Sequence, residues 1–84
     1  MLHLVSLFDK KSLSYSAINS VPNHNSFIRV LSDEIARPDS QEIWARHPED
    51  FSLVSIGSFD ESSGIITSYP SETMLVELST LVRP

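Results

Sequence analysis

The strongest constraint on the fold lies in residues 46–64, RHPEDFSLVSIGSFDESSG. From Phe51 to Ser58 the chain alternates, with Phe51, Leu53, Ser55 and Gly57 on one side and Ser52, Val54, Ile56 and Ser58 on the other. A period of two is that of a β-strand. The FDESSG run that follows reads as a reverse turn, with Gly64 where a hairpin loop needs positive φ. Residues 64–69, GIITSY, then return antiparallel, and Pro70 is predicted to end that strand. Residues 73–82, TMLVELSTLV, fit either a last strand or a short terminal helix.

Upstream, residues 3–8 (HLVSLF) are rich in strand formers and stop at the polar turn Asp9-Lys10-Lys11-Ser12. Residues 13–18 (LSYSAI) alternate again and return as a second hairpin arm, and residues 19–25 (NSVPNHN) cluster turn formers. From Ser26 the period changes. Phe27, Ile28, Leu31 and Ile35 fall three and four apart on one helical face, while Arg29, Ser32, Asp33 and Arg37 take the other. Asn23 or Asn25 is the expected N-cap, and Pro38 forces a stop. Asp39 with Glu42 resembles a capping box, which predicts a second, shorter helix ending near Arg46. The order strand–strand–helix–strand–strand predicts an α+β fold: a small antiparallel sheet with one long and one short helix on one face.

Size and composition bound what such a fold does. The chain has 84 residues, 40% of them apolar and 20% charged, which reads as one globular domain over residues 1–84. A domain this small buries only about 60–65% of the surface its unfolded chain exposes, so association with copies of itself is an expected remedy. Apolar residues on both faces of HLVSLF and FSLVSI point the same way, to a homo-oligomer. No apolar run approaches the ~20 residues of a membrane span. The opening MLHLVSLFDKK places its charges after the apolar stretch, the reverse of a signal peptide, and reads as a strand of a soluble, unexported protein. There is no cysteine, which excludes disulfides and thiolate metal sites.

The net charge is −5 and unevenly spread. Residues 1–46 balance Lys10, Lys11, Arg29, Arg37 and Arg46 against Asp9, Asp33, Glu34, Asp39 and Glu42. Beyond them, Glu49, Asp50, Asp60, Glu61, Glu72 and Glu77 face Arg83 alone. Long-range attraction to a phosphate backbone needs the opposite sign, so any nucleic-acid contact has to be local and N-terminal.

Reactive chemistry finds little support. The pairs Glu49–Asp50 and Asp60–Glu61 sit in turns, where water keeps carboxylates ionised, and general acid–base work needs a shifted pKa. They read as turn and cap residues, with Asp50 or Glu49 capping backbone amides ahead of the strand and Asp60 fixing the hairpin. His3, His24 and His47 match no compact metal-ligand spacing, and His47 before Pro48 reads as a turn residue whose ring bonds the backbone. The serines lack an activating context, and Gly57 and Gly64 stand too far apart to cradle a phosphate. No enzymatic activity, cofactor or metal is expected. Single-stranded nucleic acid binds aromatic faces beside cations, for which Tyr15, Trp44 and Tyr69 with Lys10, Lys11, Arg29, Arg37 and Arg46 are the available groups. Trp44 is expected to pack its indole over the core.

The motifs HPEDF at 47–51, SIGSFD at 55–60 and Gly64 resemble the small nonstructural protein of gokushovirus-type microviruses, the single-stranded DNA phages of bacteria. Residues 4–17 resemble that family's opening strand and aromatic-Asp turn, and Pro22 and the Arg29 helix fall in the family's order. The chain departs from the family at Ala36-Arg37-Pro38, where an Asn-x-Pro segment is common, and in its thinner aromatic cluster around Pro22. The resemblance implies a nonstructural accessory protein of the host cytoplasm that binds DNA in viral single-strand replication or packaging. Lys10, Lys11, Tyr15, Arg29, Arg37 and Arg46 are then the expected DNA contacts. His47, Pro48, Glu49, Asp50, Asp60 and Gly64 are expected to shape the hairpin and its corner. The alternatives are a homo-oligomeric adaptor or an inhibitor of a host factor, acting on proteins through an acidic surface without DNA contact.

Overall fold

A computed structural model describes residues 1–82. The elements run β1 (Leu2–Asp9), β2 (Ser14–Tyr15), β3 (Asn19–Val21), α1 (His24–Ile35), α2 (Ile43–Arg46), a 3₁₀ turn (Pro48–Asp50), β4 (Phe51–Asp60), β5 (Ile65–Glu77) and a last 3₁₀ turn (Leu78–Leu81). The five strands form one antiparallel sheet in the order β2-β1-β4-β5, with β3 also pairing β1. The expected α+β fold is what the chain adopts.

The core lies between sheet and helix. Val5 and Leu7 of β1, Phe51 and Leu53 of β4, Val21, Leu31 and Leu78 form one buried cluster. Phe27, Ile28, Ile35 and Trp44 pack against it, as the helical spacing and the indole predicted. A fully buried leucine such as Leu53 or Leu78, each 0% exposed, contributes on the order of 2–3 kcal/mol. Asn23 is the N-cap of α1, its side-chain oxygen accepting from the amides of Asn25 at 2.7 Å and Ser26 at 3.3 Å.

Five sequence expectations are corrected. The second arm of the first hairpin is only Ser14–Tyr15, because residues 16–18 leave the ladder. Residues 19–21, read as a turn, are instead β3, held by pairing with His3, Leu4 and Val5. Asp39 does not cap α2, which begins at Ile43 with Glu42 as N-cap. The Ser40 hydroxyl bonds the Glu34 carboxylate and accepts the Glu42 amide, so α1 holds residues 39–42 out of helical form. Gly57 does not share a face with Phe51 and Leu53. A register shift between Ser55 and Gly57 moves it to the opposite face, beside Leu4.

Pro70 does not end β5. Ser55 pairs Thr73 and Gly57 pairs Ser68, so residues 69–72 bulge opposite Ile56 alone. Pro70 sits in that bulge on an edge strand, where no ladder bond is asked of its missing N–H. Of the two forms open to residues 73–82, both occur: strand to Glu77, then the 3₁₀ turn.

The apolar second face of β1 and β4 is covered within the chain. Ser6 and Val54, on the face away from α1, are only 1% and 3% exposed. Tyr15 donates its hydroxyl to the Glu72 carboxylate, joining β2 to the bulge of β5 across two intervening strands. Glu77 accepts from Ser52 Oγ at 2.7 Å on the same face, and the Ser6 hydroxyl donates to the Ser16 carbonyl at 2.9 Å. The buried hydroxyls of Ser6 and Ser52 are therefore paired.

One turn occurs twice. In FDKKSL and FDESSG the last amide donates to the aspartate carbonyl, Leu13 to Asp9 at 2.8 Å and Gly64 to Asp60 at 2.7 Å. In each the aspartate Oδ1 accepts the amide two residues on, at 2.9 Å from Lys11 and 3.0 Å from Ser62. The last position is left-handed in both, φ +75° at Gly64 and +56° at Leu13. Glycine holds it freely; leucine does so at a cost of about 1–2 kcal/mol.

Candidate binding surface

The six expected DNA contacts come from two parts of the fold. Lys10, Lys11 and Tyr15 lie at the β1–β2 turn, while Arg29, Arg37 and Arg46 belong to the helical layer. Most are already engaged. Lys10 Nζ is 2.5 Å from Glu77 Oε2, and Lys11 Nζ is 3.8 Å from Asp50 Oδ2. Arg37 lies 3.3 Å from Glu34 and 3.6 Å from Asp39. Lys10 and then Ser52 hold the Glu77 carboxyl below its ordinary pKa. The Tyr15 ring packs on Phe8 at 4.9 Å between centroids, and its bond to Glu72 pushes the phenol pKa up. The Tyr15 hydroxyl and one side of its ring are thus engaged, while the residue stays 51% exposed. Arg29 and Arg46 are exposed and have no carboxylate partner among the described residues.

The HPEDF corner is turn architecture with different bonds from those expected. Lys10 donates its amide to the Asp50 backbone carbonyl at 2.9 Å, so the main chain, not a carboxylate cap, ties this corner to the first turn. The His47 ring faces the Glu49 carboxylate at 3.7 Å rather than a backbone group. Pro48 opens the 3₁₀ turn and is buried. Asp60 does fix its turn, and the Ser62 hydroxyl and amide, with Ser63, lower its pKa. One ligand atom each from His47, Glu49 and Asp50 fall within 4.8 Å of one another. They could hold a cation only at the surface, as His47 and Glu49 are exposed, and Lys11 beside Asp50 opposes a second positive charge.

A feature that residue spacing did not reveal runs along α1. A depression of about 390 Å³ is floored by Leu7, Ala17, Phe27, Leu31 and Trp44, and a second of about 200 Å³ by Val21, Pro22 and Phe27. A third, of about 350 Å³, is rimmed by Glu34, Asp39 and Glu42 with Arg37. Val30, 59% exposed, borders all three. The sequence signal was an apolar residue next to Arg29 on the polar side of the helix.

Sheet, helical layer and trough together define a small α+β protein whose distinctive features are on its surface. Residues 2–81 match the family described as Phage ORF5 protein, and the chain belongs to that family. It is 35% identical over 75 residues to Protein ORF5 of Chlamydia phage 1, an alignment covering 87% of this chain and 76% of that relative. No solved structure matches it. The resemblance to small microvirus nonstructural proteins is borne out at this level: the chain is a small phage protein of that type. Among the described residues, no helix is long and apolar enough to cross a membrane.

Proposed function

We propose that this phage accessory protein acts by binding rather than catalysis, in replication or packaging of viral single-stranded DNA in the host cytoplasm. It touches the strand through Arg29 and Arg46. The observation that carries this reading is the pairing pattern: of the five cations in residues 1–46, these two alone lack a carboxylate partner among the described residues. A cation already held by a carboxylate gains less from a phosphate. With about two phosphates neutralised, the logarithm of affinity should fall against the logarithm of salt with a slope near −1.4. Fluorescence anisotropy of a labelled single strand reads that slope directly. Arg29→Ala with Arg46→Ala should abolish binding, whereas Lys10→Ala should leave it within about twofold. No binding at low salt, or binding indifferent to both arginines, overturns the reading.

A second reading has its own observation. The trough around Val30, apolar in its floor and acidic at one end, fits a basic segment of a viral or host protein. Val30→Asp would then block a protein partner and leave DNA affinity untouched.

A further inference from the structure

β5 is an edge strand: residues 65–68 pair with β4 on one side only, and Tyr69 opens the bulge that follows. Every second residue there turns its N–H and C=O to solvent. The run Ile65-Ile66-Thr67-Ser68-Tyr69 contains no charge and no proline, the usual guards of an edge. Its apolar side chains are open, at 62% for Ile65, 63% for Ile66 and 39% for Tyr69. The other free edges, β2 and β3, are two and three residues long.

We propose that this segment pairs antiparallel with itself in a second copy, about a two-fold axis through Thr67, joining two sheets into one. The register follows from the side chains. Centred on Thr67, Ile65 of each copy opposes Tyr69 of the other, giving two β-branched–aromatic pairs around one Thr–Thr pair. Centring on Ser68 would draw Pro70 into the ladder opposite Ile66, where its missing N–H breaks pairing. Centring on Ile66 leaves Tyr69 opposite the turn residue Ser63. Charge selects the same arrangement. Antiparallel pairing sends the acidic tips, Asp60 and Glu61, to opposite ends, whereas parallel pairing would set them side by side. Five residues a side bury less than the ~1,200 Å² of a standard stable interface, so the dimer forms reversibly with concentration.

The pairing is independent of what Arg29 and Arg46 touch, and its test contains no DNA. Sedimentation equilibrium of the full chain should show dimer growing with concentration. Ile65→Lys alone and Tyr69→Glu alone should each weaken it at least about tenfold. The double variant, Ile65→Lys with Tyr69→Glu, sets a lysine of each copy opposite a glutamate of the other and should recover most of the affinity. Circular dichroism melts confirm that each variant is folded. A wild-type chain that stays monomeric, single variants that dimerise like wild type, or a double variant no tighter than either single one overturns the proposal.

Discussion

His24 starts α1 with its ring centroid 4.2 Å from that of His3, and its Nε2 is buried without a hydrogen-bond partner. Burial, and then the nearby His3, lower its pKa below the ordinary histidine value. The folded chain therefore takes up this proton less readily than the unfolded one. The stability that follows is fully present above the unfolded pKa of about 6.5 and is lost as pH falls from there through the folded value. The carboxylates act in a lower window. Asp9, Asp60, Glu61 and Glu77 all have lowered pKa values, so their contribution holds above about pH 4.5 and disappears below it. Thermal melts should show two separate declines on acidification. In His24→Leu the upper one should be lost or much reduced, with the lower one unchanged. An unaltered upper decline would assign it to another group.

At the scale of elements, the β4–β5 hairpin depends on Gly57 for a reason of register. A Cβ there would lie 2.3 Å from the Thr67 carbonyl oxygen, which is main chain and cannot swing away. Gly57→Ala should destabilise the protein by about 1–3 kcal/mol, read from the denaturation midpoint. A change of a few tenths would mean that the hairpin relaxes easily. Elements carried by local periodicity were legible beforehand: α1 through Phe27, Leu31 and Ile35, its Asn23 cap, and the turn closed by Gly64. β3 was not, because Asn19 and Ser20 favour turns in isolation and become strand only when β1 offers its edge. The passage of β5 beyond Pro70 was hidden for a similar reason, since a proline is harmless to a ladder only at an edge or bulge. The role of Gly57 could not be read from its neighbours either, as the strand shift that creates the close approach lies in the pairing.

Over the whole molecule, the same distinction separates the contacts expected from sequence from those we propose. The six expected contacts were chosen by residue type, but Glu77, Asp50 and Glu72, which engage Lys10, Lys11 and Tyr15, lie far along the chain. Folding brings acidic residues of the second half onto the basic first turn, and among the described residues Arg29 and Arg46 are left without a carboxylate partner. Exposed ion pairs of this kind add only about 0–1 kcal/mol each, so their larger consequence is to set which charges a partner meets. The most direct test is an amide NMR titration of the full chain with single-stranded DNA at low salt. Shifts concentrated at Arg29, Arg46 and adjoining residues of α1 and α2 are the expected result. Shifts confined to the Lys10–Lys11 turn, or none at saturating DNA, would contradict it.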